Sequence, residues 1–352
     1  MIKVLIAEDS AVLREFLVHI LSSDPAIQVI GTARDGVEAL EAVQREKPDV
    51  ITMDINMPRM DGFEATRRIM ETQPTPIVIV SGSWDTKEVA TTFRAVEAGA
   101  LAVLPRPRGL GHPDHEAMAQ ELIQTVKLMS EVKVVRRWAR PRREGTAPLR
   151  LPATAEVERG PKAAEIRLVA IGASTGGPIV LQTILAALPK DFRVPVVIVQ
   201  HMAAGFVRGF VEWLTHSSGR QVHVATHGET LLPGRVYVAP DGFQMKVEPG
   251  GKVSLTHDEP ENGLRPSVSY LFRSVASAYG PNAVGVLLTG MGKDGAEELR
   301  LMKEKGAMTL AQDKDSSVVH GMPGEAIKLG AATYVFPPEG IAAALASLMK
   351  QK

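Results

Sequence analysis

From Ile2 onward the chain alternates short, almost wholly apolar runs with segments whose apolar residues recur every three or four positions. Such a run has no polar face, so it fits a strand covered on both sides, and helices between successive strands supply the cover. Residues 3–7, 27–31, 50–53, 77–80 and 101–104 are predicted strands of the first half. Leu13, Phe16, Leu17, Ile20 and Leu21 mark one face of the first helix, and residues 117–129 close the unit with another. The alternation resumes at Ile166. Strands are predicted at 167–171, 194–199, 235–239, 283–288 and 331–336, with helices at 179–188, 207–215, 268–278 and 296–305. The pattern implies two α/β domains with doubly wound parallel sheets, and no internal repeat relates them.

Between the halves the periodicity disappears. Arg136, Arg137, Arg140, Arg142 and Arg143 crowd around Pro141, and Gly145, Pro148, Pro152, Gly160 and Pro161 follow. The composition predicts a linker over 131–164, joining domains at 1–130 and 165–352. The arginines alone do not make a nucleic-acid surface, since no recognition-helix pattern accompanies them. Lys+Arg and Asp+Glu balance at 40 each, so no global field favours nucleic acid or membrane. The absence of cysteine removes thiolate nucleophiles, thiolate metal sites and disulfides, and it fits a reducing compartment. No apolar run approaches the roughly 20 residues of a membrane span, and the N-terminus lacks a signal-peptide pattern. The expectation is a soluble, cytoplasmic protein.

In open parallel sheets function gathers at the carboxyl ends of the strands. Glu8 and Asp9 close the first strand and Asp54 the third. Three carboxylates on one edge repel each other unless a cation sits among them, and an oxygen-only set suits Mg²⁺. Ser81 closes the fourth strand with a hydroxyl able to donate to a phosphoryl oxygen. Residues 1–129 resemble the response-regulator receiver family, with its flavodoxin-like fold. The resemblance is carried by Ala7-Glu8-Asp9-Ser10, the run Asp54-Ile55-Asn56-Met57-Pro58-Arg59-Met60-Asp61-Gly62, and Val80-Ser81. It implies that Asp54 accepts a phosphoryl group from a histidine kinase. Glu8, Asp9, Asp54 and the carbonyl of Asn56 would hold Mg²⁺, and Ser81 would act as the switch hydroxyl. Where the family has Lys-Pro this chain has Arg106-Pro107. Arg106 keeps the charge but exchanges a compact ammonium for a planar fork, so either it serves the switch differently or it points to solvent.

In the second half a strand runs into Gly172-Ala173-Ser174-Thr175-Gly176-Gly177-Pro178 and then a helical pattern. Proline at a first helical position and a tight glycine turn put backbone N–H groups and a helix dipole beside Ser174. The segment lacks the G-x-G-x-x-G of a dinucleotide loop and the lysine of a P-loop. It does contain G-x-S-x-G, which presents a serine on a sharp strand-to-helix turn. A serine hydroxyl needs a base, and the base needs an orienting group. His201 follows the predicted strand 194–199 with only Gln200 between, and Asp294 lies in the glycine-rich loop after 283–288. Of the nine histidines, His320 in another glycine-rich loop is the rival base. The order Ser, His, Asp is not that of α/β-hydrolases.

Residues 165–352 resemble the catalytic domain of chemotaxis protein-glutamate methylesterases. The runs that carry this are 172–177, Val199-Gln200-His201-Met202, Leu264-Arg265-Pro266-Ser267-Val268, 288–295 and Gly321-Met322-Pro323. The resemblance implies a Rossmann-like hydrolytic domain that hydrolyses glutamyl methyl esters on methyl-accepting chemotaxis receptors, releasing methanol, and deamidates receptor glutamines. Asp294 would hold the His201 tautomer and His201 would deprotonate Ser174. Thr175 and the backbone N–H of Met291 would serve the oxyanion and the serine–histidine geometry. No cofactor is implied for the hydrolysis. The alternatives are a hydrolase of the same fold with another ester or amide substrate, and a signalling module without activity, against which the complete Ser174, His201, Asp294 set argues.

Overall fold

The computed structural model describes residues 1–82, 93–132, 134 and 165–348. The predicted linker falls outside the described residues except at 131, 132 and 134, and the arginine cluster falls wholly outside them. The chain divides into two compact units, Met1–Thr146 and Ala147–Lys352.

The first unit contains strands β1 (Ile2–Ala7), β2 (Ile27–Ala33), β3 (Val50–Met53), β4 (Ile77–Ser81) and β5 (Ala102–Pro105). They form one sheet in the order β2-β1-β3-β4-β5, parallel throughout. This is the flavodoxin-like order, with its switch point between β1 and β3. The apolar runs of β1, β3 and β4 are buried on both faces as expected, Val4, Leu5 and Ile6 having no exposed surface, whereas the edge strands β2 and β5 are partly exposed. The intervening helices start where side chains cap them: Ser10 accepts from Leu13 N, Asp35 from Val37 N and Glu38 N, and Asp61 from Glu64 N. The register pairs Ala7 with Met53, so Glu8 and Asp54 leave the sheet side by side.

The second unit holds β6 (Leu168–Ala173), β7 (Val196–Gln200), β8 (Val222–Val224), β9 (Val236–Val238), an antiparallel hairpin of β10 (Gln244–Glu248) and β11 (Lys252–Thr256), then β12 (Ala283–Leu287), β13 (Met308–Gln312) and β14 (Tyr334–Phe336). The main sheet runs β14-β13-β12-β6-β7-β9-β8, with every pairing parallel. The chain lays β7, β8 and β9 on one side of β6 and β12, β13 and β14 on the other, so β6 and β12 flank the switch point. Strands β8, β10, β11 and β13 and the helices Met322–Lys328 and Pro338–Ser347 were not predicted from the sequence. β8 is only three residues long, and the hairpin carries polar residues on alternate positions, so neither gives the continuous apolar signal of a central strand. The predicted strand at 331–336 shrinks to its last three residues.

Candidate functional site

Ser174 follows β6, and His201 follows β7. The register pairs Ala173 with Gln200, and His201 N donates to Ala173 O at 2.9 Å. The two residues therefore leave neighbouring strands together. On the other flank, Ser174 N donates to Thr289 O at 3.0 Å. Gly290 packs so closely that a Cβ there would lie 2.6 Å from Ser174 Cβ. Gly176, at φ +79°, completes the turn into the helix Gly177–Ala187, a conformation that suits glycine.

Asp294 is buried in the loop after β12, and its Oδ2 lies 2.9 Å from His201 Nε2. An ionised carboxylate only accepts, so Nε2 carries the proton and Nδ1 keeps the lone pair. The same carboxylate takes three more hydrogen bonds. Ser267 Oγ reaches Oδ1 at 2.8 Å, Ser269 N reaches Oδ1 at 3.1 Å, and Val268 N reaches Oδ2 at 2.7 Å. These donors are the N-terminal turn of the helix Val268–Tyr279, whose dipole also favours a negative charge. Burial alone pushes the Asp294 carboxyl up, but His201, Ser269 and Val268 outweigh it and hold the group at about 2. The Ser174 hydroxyl makes no hydrogen bond among the described residues. The backbone N–H groups of Thr175 and Met291 are likewise uncommitted there, and the Met291 side chain is half exposed. His320 instead meets Ser317 Oγ at 3.3 Å and has no carboxylate hydrogen-bond partner among the described residues.

In the first unit, ligand atoms of Glu8, Asp9 and Asp54 all lie within 4.8 Å of one another. Glu8 and Asp54 are buried and Asp9 is exposed. Burial raises Asp54 to about 6 against the pull of Arg106, and burial together with Asp54 raises Glu8 to about 7. Arg106 follows β5 and does not point to solvent: its Nη2 lies 3.0 Å from Glu8 Oε2 and 3.4 Å from Asp54 Oδ1. Ser81 is buried at the end of β4, where its carbonyl accepts Arg106 N at 2.8 Å. Asn56 is exposed in the loop after Asp54. The oxygen-only donor set fits a hard divalent cation.

A family described as CheB methylesterase matches residues 169–345, and one described as response regulator receiver domain matches residues 4–112. The chain is 63% identical to a protein-glutamate methylesterase/protein-glutamine glutaminase of Nitrosospira multiformis, over 100% of this chain and 98% of the relative. It is 61% identical to the corresponding protein 4 of Geobacter metallireducens over the full length of both. The chain belongs to the CheB methylesterase family. Its second unit is similar to the crystal structure of the Thermotoga maritima CheB methylesterase catalytic domain, at 39% identity and a TM-score of 0.51, covering 53% of this chain and all of that one. No helix among the described residues is long and apolar enough to cross a membrane.

Within this receiver-linked methylesterase, Ser267 and Val268 belong to a run that carries the resemblance, but the sequence assigned neither them nor Ser269 a role in holding Asp294. Ser267 caps the helix after Pro266, and Ser267 N donates to the fully buried Gln244 Oε1 at 2.9 Å. Gln244 Nε2 in turn donates to Leu264 O at 3.1 Å, so the unpredicted hairpin helps support the carboxylate. Serine before an apolar helical run was the available signal for Ser267. Nothing local marks Gln244.

Proposed function

We propose that the chain is a phosphorylation-activated serine esterase that hydrolyses glutamate methyl esters on methyl-accepting chemotaxis receptors and deamidates receptor glutamines. The observation that carries the reading is the contact of buried Asp294 with His201, which leaves its strand next to Ser174. Ser174 Oγ attacks the ester carbonyl while its proton passes to His201 Nδ1. The tetrahedral oxyanion is met by the N–H groups of Thr175 and Met291 at the positive end of the helix Gly177–Ala187. Collapse expels methoxide, which takes the proton from His201. Water, deprotonated by the same imidazole, then hydrolyses the acyl-enzyme to glutamate and regenerates Ser174. A glutamine side chain follows the same course with ammonia leaving.

Activity is controlled through a receiver at 1–130, joined by a linker at 131–164 to the catalytic domain at 165–352. Asp54 accepts a phosphoryl group from a chemotaxis histidine kinase. Glu8, Asp9, Asp54 and the Asn56 carbonyl would hold Mg²⁺, whose charge would offset that of the phosphoryl oxygens. Ser81 and Arg106 read the phosphoryl group. The enzyme works in the cytoplasm, meeting the membrane only through receptors. The unphosphorylated receiver restrains the esterase and phosphorylation relieves it, which requires that the phosphoryl group favour the relieved state. Methanol release from methylated receptor is the test. The full chain is expected to speed up with a phosphodonor, and a fragment lacking residues 1–130 should exceed the unphosphorylated full chain. A folded fragment no faster than the full chain would remove the receiver's inhibitory role.

Arg106 bridges Glu8 and Asp54 with one nitrogen of a planar fork, a contact that a lysine ammonium makes differently. Phosphoryl capture rests on Asp54 and its acidic neighbours and is expected to survive Arg106→Lys. Coupling to the switch should change: Arg106→Lys is expected to increase the ratio of activity with phosphodonor to activity without it. Equal ratios in the two proteins would assign Arg106 to a structural role in the pocket.

A further inference from the structure

We infer that Gln200, the last residue of β7, is a positioning residue that fixes the Ser174 turn and the His201 backbone to each other. This rests on the reading of Ser174 as nucleophile and His201 as base. The sheet ladder ends at the bond from His201 N to Ala173 O, and the carbonyls of Ser174 and His201 lie beyond it. Gln200 Nε2 donates to both, at 2.9 Å to Ser174 O and 2.8 Å to His201 O. One side-chain amide thus continues the ladder by one step, between the two residues whose spacing decides proton transfer.

The amide orientation is dictated by its surroundings. Turned over, its oxygen would face two carbonyl oxygens and its nitrogen would face neither. As placed, Gln200 Oε1 is buried without a hydrogen-bond partner among the described residues, a state that native proteins seldom retain. A side chain kept only to fill this space would be apolar. The neighbour also accommodates it: a Cβ on Gly177 would lie 2.2 Å from Oε1, while Gly177 N donates to Ser174 O at 2.8 Å. Gly177 therefore leaves room for the amide and shares its acceptor. The residue touches neither substrate nor reacting atoms; it acts through the backbone of those that do.

The test uses the full chain, methylated receptor and a phosphodonor, and compares the parent with Ser174→Ala, Gln200→Met and Gln200→Glu. Methionine keeps the length and removes both donors. Its kcat is expected to fall roughly 10- to 100-fold with little change in KM, as for a small misplacement of reacting groups. Glutamate separates positioning from packing. Protonated, its carboxyl donates one hydrogen bond; ionised, it donates none and faces two carbonyls, so activity should drop as pH rises, over a range where the parent's does not. Thermal melting establishes that each variant is folded at the assay temperature. If Gln200→Met does not fold, the pH profile of Gln200→Glu decides. An inactive Ser174→Ala together with parent-like kcat in Gln200→Met, or a parent-like pH profile in Gln200→Glu, would overturn the role of Gln200 alone. An active Ser174→Ala would sink this inference and the reading beneath it together.

Discussion

Alanine at Ser174 is expected to reduce methanol release by about 10⁴- to 10⁶-fold while leaving the melting temperature near that of the parent. Loss of a nucleophile removes the covalent route entirely, and what remains is the rate supplied by binding and oxyanion contacts. The folding side of the expectation comes from this site. The Ser174 hydroxyl makes no hydrogen bond among the described residues, so its removal leaves no buried partner unsatisfied, and the effect should stay within about 0.5 kcal/mol. The Cβ that packs against Gly290 is retained in alanine. His201→Ala should cost a similar factor in kcat, and the double variant little more, because the two groups act as one unit. Ser174→Ala with half the parent's turnover would end the assignment of Ser174 as nucleophile.

The strand ends were legible because parallel sheets write them plainly. A run apolar on both faces stops where the chain leaves the sheet, and the next polar residue sits at the edge. That rule finds Glu8, Asp54 and Ser174, and it leaves His201 one residue beyond the first polar position, Gln200. It also explains a shared construction: Ala7 pairs with Met53 and Ala173 with Gln200, so in each unit the two following residues emerge together. In each case one backbone bond then joins the strands, Asp54 N to Ala7 O and His201 N to Ala173 O, both at 2.9 Å. The first unit uses the arrangement to gather carboxylates and the second to bring Ser174 and His201 out of neighbouring strands.

What lay outside the sequence pattern depends on contacts between distant segments. Ser267 and Ser269 meet Asp294 across 27 and 25 positions, and Gln244 meets Ser267 across 23. No local period encodes such distances. The hairpin β10–β11 is a different case. Its Gly250-Gly251 turn between alternating segments is a hairpin signal, although neither segment is apolar throughout. The direction of Arg106 was equally closed to sequence: charge and spacing are the same whether it faces the pocket or the solvent, and only the fold turns it toward Glu8 and Asp54.

Asp294→Asn is expected to lower kcat by about 10² to 10⁴ and to reduce stability as well. His201 becomes an imidazolium only as it takes the serine proton, and removing the charged partner of such a pair costs roughly 3–5 kcal/mol, while each 1.36 kcal/mol in the barrier is tenfold in rate. The site dictates how asparagine must sit. Each carboxylate oxygen faces one fixed backbone donor, Val268 N at 2.7 Å for Oδ2 and Ser269 N at 3.1 Å for Oδ1. The new NH₂ group must oppose one of them. The Ser269 side is the more forgiving, because that contact is longer and the Ser267 hydroxyl beside it can rotate to accept. The amide oxygen then stays on His201 Nε2, the imidazole keeps the lone pair on Nδ1, and the loss comes from the missing charge that would steady the imidazolium. With the oxygen on the other side, Nδ1 would carry the proton and the base would be blocked, so ¹⁵N imidazole shifts of the variant distinguish the two outcomes. The pH dependence of stability gives a second readout. Asp294 is held at about 2, below its value of roughly 3.9 in an unfolded chain, so the native carboxylate contributes stability above about pH 4 that is lost as pH falls toward 2. Asparagine cannot titrate, and the stability difference between parent and variant should shrink across that interval. A difference that stays constant from neutral pH down to about 2, or a kcat within tenfold of the parent, would show that the carboxylate charge is not what Asp294 contributes.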